Sequence, residues 1–161
     1  MNLKIPAFVA LAMAVTASVA PSAEAVWSKF SASDLSIFVT LQRFRIYADH
    51  CSDKVPRLRS RFDSLMEDLN THIQGISKGL LSSDVFESMK DKPVPAEISF
   101  AFKDSLDDAK HNFERQDADS ICPKTLQNLS EMDDESLKSD LTQTFVAVQK
   151  MILNLEKESA R

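Results

Sequence analysis

The fold is decided by residues 51–78, which read CSDKVPRLRSRFDSLMEDLNTHIQGISK. Proline is tolerated only in the first turn of a helix, so Pro56 fixes where this helix begins. Apolar residues then alternate at spacings near three and four, the pattern of a long helix packed along one face. They are Val55, Leu58, Phe62, Leu65, Met66, Leu69, Ile73, Ile76 and Leu80. We therefore predict a helix over about 53–78, with Gly79 as its C-terminal cap.

Three other stretches repeat this periodicity on either side of the central helix. Apolar stripes predict helices over about 33–50, 95–115 and 134–158. Ser31 and Asp34 match a capping box ahead of the first of these. The last begins with consecutive acidic residues, which the positive end of the helix dipole favours. Its stripe includes Met151, and the 95–115 stripe includes Ala101, so both side chains are predicted to be in the core.

The remaining segments connect these helices. Residues 80–94 and 117–132 are predicted connections, and each has room for a short helix, at 83–89 and around 126–129. Pro93 and Pro95 exclude helix immediately before the 95–115 segment. Four amphipathic helices with one apolar stripe each predict an all-α fold, an up-down-up-down four-helix bundle.

Composition supports a single helical domain and excludes several functional classes. Only two of the 161 residues are glycine, too few for a phosphate-cradling loop or a dinucleotide-binding fingerprint. The net charge of -5 argues against nucleic acid as the main partner. The apolar fraction of 43% is too high for a disordered chain.

The first 25 residues have the features of a secretory signal peptide. Lys4 precedes an apolar run over 5–20, and Ala23-Glu24-Ala25 is a small-x-small cleavage site. Cleavage after Ala25 leaves one domain, 26–161, with no further run apolar enough to span a bilayer. The length and alanine content resemble bacterial signals, so we expect a secreted, periplasmic protein.

The two cysteines, Cys51 and Cys122, both lie in the expected mature chain. An oxidising compartment favours one disulfide between them, and their spacing excludes paired-cysteine redox, haem and zinc motifs. The loop-entropy relation assigns such a bond about 4 kcal/mol. Cys51 falls in the first predicted connection and Cys122 in the third, and the predicted topology puts both connections at the same end of the bundle.

No catalytic pattern emerges from the sequence, and we expect a protein that is not an enzyme. No Glu is followed three residues later by His, as di-iron bundle enzymes require. Asp107, His111 and Glu114 share one helix face, but that face points away from the apolar stripe and is predicted to be a solvated surface. We therefore assign no catalytic residue, no metal site and no cofactor.

Charge is distributed unevenly along the chain. Residues 43–61 hold six cations against two acids, whereas residues 104–140 hold eleven acids against four cations. We call the six cations the basic corner: Arg43, Arg45, Lys54, Arg57, Arg59 and Arg61. Either the two segments neutralise each other across the disulfide, or the basic corner docks an acidic protein or an anionic surface.

The sequence thus predicts a secreted, non-catalytic interaction protein of the inhibitor, immunity or chaperone-like kind. The alternative is a carrier that holds a lipid, haem or metal between its helices. The many Phe and Leu side chains predicted to fill the bundle core leave little room for such a cargo. Oligomeric state is left open by these patterns.

Overall fold

The computed structural model describes residue 27 and residues 29–81 and 93–161, with the backbone alone for 77–81. The predicted signal peptide, 1–25, and the short helix at 83–89 lie outside the described residues. Every regular element in the described ranges is a helix, which confirms the all-α class. None of the helices in these ranges is long and apolar enough to cross a membrane.

Five α-helices and one 3-10 turn make up the described fold. They are α1 (Ala32–Lys54), the 3-10 turn (Pro56–Leu58), α2 (Arg59–Leu81), α3 (Ala96–Glu114), α4 (Ala118–Ser130) and α5 (Asp134–Ser159).

Helix α1 begins at the predicted capping box and extends beyond its predicted end. The Ser31 hydroxyl accepts a hydrogen bond from the Asp34 amide at 3.2 Å, and the Asp34 carboxylate accepts one from the Ser31 amide at 3.3 Å. The helix continues to Lys54, so the placement of Cys51 in a connection was wrong. The physical stop is Pro56, which disfavours helical backbone at the residue before it.

Pro56 opens a 3-10 turn, and α2 begins after it at Arg59, so the predicted start near residue 53 was wrong: Asp53 and Lys54 belong to α1. Helix α2 runs to Leu81 and includes Gly79, so the prediction of Gly79 as a cap was wrong. A glycine inside a helix costs only about 1 kcal/mol relative to alanine, and two leucines follow it here. That penalty is too small to end a long packed helix.

Helix α4 occupies the predicted connection over 117–132. Asp117 caps it by accepting a hydrogen bond from the Ser120 amide at 3.1 Å. Pro123 lies inside the helix, where it removes one backbone donor, yet the helix continues to Ser130. Cys122 therefore belongs to a helix, and the disulfide joins α1 to α4.

Helix α1 is the central element of the packing, because it contacts each of the other four helices. Helix α2 also contacts α4 and α5, whereas α3 touches α5 only slightly. One side of the molecule is therefore closed by packed helices. On the other side, α3 and α5 leave a groove between them.

The core consists of two clusters along α1. The first surrounds the disulfide and joins α1, α2, α4, the end of α3 and the start of α5, with Phe62 fully buried. The second joins the opposite ends of α1, α3 and α5 around the fully buried Phe145. Backbone pairing of Ser31 with Pro93, and a bond from the Val94 amide to the Phe30 carbonyl at 2.9 Å, tie the starts of α1 and α3.

Candidate functional site

Three cations of the basic corner are held in ion pairs. Arg43 contacts Asp140 at 2.6 Å, with both side chains about one-third exposed. Arg57 lies 3.6 Å from Asp119 across the disulfide. These two contacts join the basic segment to the acidic one, as one of the two sequence interpretations expected.

The third paired cation is Arg59, which lies 3.5 Å from the Asp53 carboxylate. It also donates to the Ser52 carbonyl at 3.3 Å. Arg59 therefore braces the junction between α1 and α2, and its charge is balanced by a neighbour in sequence.

The other three cations, Arg45, Lys54 and Arg61, are exposed and form no ion pair within the described part of the chain. They do not share one surface. Lys54 lines a groove between α1 and α3, whereas Arg61 lines another with Leu126 and Ser130 of α4. The structure thus divides the basic corner between two faces of the bundle.

The disulfide fixes the end of the bundle where these charges meet. Cys51 and Cys122 are fully buried, with Cα atoms 5.4 Å apart. This separation is within the usual range for a disulfide. Because both sulfurs are bonded, neither can act as a nucleophile, and His50 beside Cys51 has no thiol to activate.

A polar pocket of about 460 Å³ lies between α1 and α3 near that end. Its lining combines two lysines with three carboxylates and His50: Ile46, Asp49, His50, Asp53, Lys54, Lys110 and Glu114. Among the described residues the buried His50 Nε2 atom has no hydrogen-bond partner, and the His50 ring packs edge-on against Phe113 with ring centroids 5.3 Å apart.

The cluster of Asp107, His111 and Glu114 is an ordinary exposed helix surface. Asp107 lies 3.3 Å from Lys103, and His111 Nδ1 lies 2.7 Å from the Asp107 carbonyl one turn earlier. Across the residues that the structure describes, no group of three or more His, Cys, Asp or Glu side chains could hold a metal ion.

Asp133 caps the start of α5, and this role shifts its pKa. The Asp133 carboxylate accepts a hydrogen bond from the Ser136 amide at 2.8 Å. That amide, together with the Ser136 hydroxyl, stabilises the ionised form and lowers the pKa of Asp133 below its usual value. The shift therefore belongs to the start of α5 and marks no reactive site.

An apolar groove, the α3–α5 groove, runs between these two helices. Its floor is Ile98, Ala101, Met151 and Leu155, and Glu97 and Glu158 stand at its edges. Toward the chain before α3 it widens into a recess of about 510 Å³ lined by Pro93, Pro95, Ile152 and Glu156. Leu155 and Glu97 line both parts, so they form one continuous surface.

Large exposed apolar side chains in the described residues are confined to the two helices that form this groove. Phe100 of α3 is 49% exposed, and on α5 Val146 is 48%, Met151 39% and Leu153 46% exposed. The prediction that Met151 and Ala101 lie in the core was wrong. Both residues lie on apolar stripes, but α3 and α5 do not close against each other along these positions.

The face of α3 that carries Glu97 and Ala101 into the groove is acidic along its length. Asp104 and Asp108 follow Glu97 at intervals of seven and four residues, so all three lie on the same face of α3 as Ala101. We call Glu97, Asp104 and Asp108 the acidic wall. All three are exposed and form no ion pair within the described ranges. The sequence analysis did not identify the wall, because it counted Asp104 and Asp108 with the acidic segment 104–140, and Glu97 lies outside that segment.

Comparison of the chain with protein-family models, with curated proteins and with solved structures finds no match. The arrangement of the α3–α5 groove is therefore interpreted from its own geometry and chemistry.

Proposed function

We propose that this chain is a non-catalytic interaction protein that binds a protein partner along the α3–α5 groove. The observation that carries the proposal is the apolar floor of this groove, Ile98, Ala101, Met151 and Leu155, in which Met151 stays 39% exposed. A contiguous exposed apolar surface with a polar rim is typical of an interaction site. Burying such side chains against a partner stabilises the complex by about 25 cal/mol for each Å² removed from water.

The groove also suits a helical partner better than a small molecule. It runs along two helices with a shallow apolar floor, which is the form that accepts an amphipathic helix. Pockets for small molecules are typically deep and enclose most of the ligand. The carrier alternative therefore draws less support, because the pockets described above are open to solvent.

The finer topology belongs to the same proposal: the four long helices run up-down-up-down, and α4 is an added helix across one end. Tyr47 near the end of α1 packs on Phe113 near the end of α3, with ring centroids 4.5 Å apart. The starts of the same two helices meet at Val94 and Phe30. Matching starts and matching ends support a parallel arrangement of α1 and α3.

Secretion, with cleavage after Ala25, remains part of the proposed function. The bond between Cys51 and Cys122 is compatible with an oxidising compartment outside the cytoplasm. A secreted interaction protein also fits the charge of the chain, because a net charge away from zero keeps the free form soluble.

An acidic partner at the basic corner is a weaker candidate. Arg45, Lys54 and Arg61 retain free charges, but two of them lie in different grooves and the other three cations are already paired. Exposed single charges of this kind contribute little affinity.

Site-specific photo-crosslinking in the secreting cell tests the proposed surface. A photoreactive side chain at Ala101, in the groove, should capture one defined protein chain, which mass spectrometry identifies. The matched control carries the same group at Ser64, an exposed residue in the pocket between α2 and α4.

The captured chain is then purified, and its binding is measured against the wild type and Met151→Asp. We expect capture from Ala101 but not from Ser64, and at least about tenfold weaker binding by the variant. Equal capture from both positions, or binding unchanged by Met151→Asp, would contradict the proposed surface.

A further inference from the structure

Helix α5 carries a second exposed face beside the groove. Val146, Lys150, Leu153 and Lys157 follow one another at intervals of four, three and four residues, so they form one stripe along the helix. All four are exposed, including the two large apolar side chains. We call these four residues the α5 stripe.

The chemistry of the α5 stripe complements that of the α3–α5 groove. The stripe offers two apolar side chains and two lysines, whereas the groove offers an apolar floor and the acidic wall. Neither Lys150 nor Lys157 forms an ion pair among the described residues. A helix with this pattern of apolar and basic positions is what an acidic-walled apolar groove would accept.

We propose that the occupant of the α3–α5 groove is the α5 stripe of a second copy of this chain. The inference rests on the proposed function, because it names an occupant for the surface proposed there. The contact is reciprocal: each copy places its stripe against the groove of the other, so the pair closes as a two-fold dimer.

The positions of stripe and groove on α5 permit this closure. Successive residues are rotated by about 100° around a helix, which puts the stripe roughly a third of a turn away from the groove residues Met151 and Glu158. An α5 helix from a second copy that lies in the groove therefore contacts α5 on one flank and α3 on the other. By the two-fold symmetry, α5 of the first copy makes the same two contacts in the groove of the second copy.

The spacing of charges agrees with the same arrangement. With the two α5 helices parallel and related by a two-fold axis along them, the two α3 helices lie on opposite sides of the pair, and Lys157 of one copy lies level with Glu97 of the other. Lys150 then lies level with Asp104, because both pairs are seven residues apart and α3 runs antiparallel to α5. Two basic–acidic contacts form at each of the two equivalent sites.

Sedimentation velocity of the purified protein tests the dimer directly. We expect the wild-type sedimentation coefficient to rise from a monomer value to a dimer value over about 1 to 300 µM. Leu153→Asp should remain a monomer over that range. Because Leu153 is exposed, this variant should keep the wild-type urea midpoint at about 1 µM, where both proteins are monomers, and this separates loss of association from loss of folding.

A charge exchange provides the sharper test. The variant Lys150→Glu/Lys157→Glu opposes acid to acid, and Glu97→Lys/Asp104→Lys opposes base to base, so each alone should dimerise at least about tenfold more weakly. Mixed in equal amounts, the two variants should form a heterodimer, because both reciprocal contacts then pair opposite charges. The matched control, Lys124→Glu/Lys138→Glu, makes the same change of charge elsewhere and should dimerise as the wild type does.

Each result decides the inference separately from the proposed function. Association that Leu153→Asp abolishes and the mixed variants restore supports the dimer. A wild type that stays monomeric, or a dimer indifferent to both charge variants, overturns it. If the wild type is monomeric while Ala101 still captures a different protein, the dimer fails and the proposed function stands. If Ala101 captures nothing and the wild type is monomeric, both fail.

Discussion

The two sides of α1 differ in what happens to their apolar side chains: those at the disulfide end are buried, and some of those along the α3–α5 groove stay exposed. At the disulfide end, aromatic and aliphatic groups from α1, α2, α4 and α5 are buried around Cys51 and Cys122, and three of the six cations of the basic corner are paired. Along the α3–α5 groove, Ala101 and Met151 stay exposed, and the acidic wall forms no ion pair among the described residues. The disulfide end therefore supplies stability, whereas the groove leaves apolar side chains and carboxylates exposed for the proposed partner.

The largest expected effect is a difference in the free energy of unfolding when the same substitution, Phe to Ala, is made at a buried and at an exposed position. Phe62→Ala, at the disulfide end, should lower the free energy of unfolding by about 3–5 kcal/mol, because a fully buried ring leaves a cavity. Phe100→Ala, in the half-exposed position on α3, should change it by less than about 0.5 kcal/mol. Urea unfolding measures both, and similar losses would contradict the comparison.

Removing the disulfide should produce the next largest effect. Cys51→Ala/Cys122→Ala removes a cross-link between two residues 71 positions apart, so the unfolded chain gains conformational freedom. The free energy of unfolding should therefore fall by about 2–4 kcal/mol. Urea unfolding with and without a reductant checks this assignment. The reductant should destabilise the wild type and leave the double variant unchanged, and a variant that still responds would point to another cause.

The two cross-segment ion pairs should differ in strength. A double-mutant cycle on Arg43 and Asp140, which are 2.6 Å apart and only about one-third exposed, should give a coupling free energy near 1 kcal/mol. The cycle on Arg57 and Asp119 is the control, since both side chains are more than two-thirds exposed and should couple by less than about 0.3 kcal/mol. Equal couplings would contradict the proposed distinction between shielded and solvated pairs.

The smallest expected effect is the pH response of the α5 cap. The pKa of Asp133 is lowered in the folded chain, so its contribution is complete above the ordinary aspartate pKa of about 3.9 and is lost as pH falls through the folded value. Asparagine also caps helices but does not titrate in this range. We therefore expect wild type to lose stability relative to Asp133→Asn below about pH 4 in urea titrations. Parallel pH profiles would contradict this.

Sequence periodicity predicted those features that depend only on the spacing of residues within one helix. The stripe of α2 and the capping box of α1 required only local spacing, and both are present in the structure. The bond between Cys51 and Cys122 could also be predicted, because two cysteines in a chain that is expected to be secreted leave only one pairing. Its placement within helices was missed, since Pro56 stops α1 later than the apolar stripe suggested.

The groove was not predictable in this way, because it depends on how two distant helices are spaced. Met151 and Ala101 lie on apolar stripes. Periodicity cannot distinguish a stripe that packs against a neighbouring helix from one that stays exposed. The same limit applies to charge. Counting along the chain grouped Arg57, Lys54 and Arg61 as one corner, but the fold turns them to different faces.

The bond between Cys51 and Cys122 also determines what a protease can do to this molecule. Any single cut between the two positions, including one anywhere in α2 or α3, leaves both fragments covalently attached. The nicked protein would migrate as one species without reductant and as two with it. A single backbone cut at any point between residues 51 and 122 thus need not release α5 and the groove from the rest of the bundle.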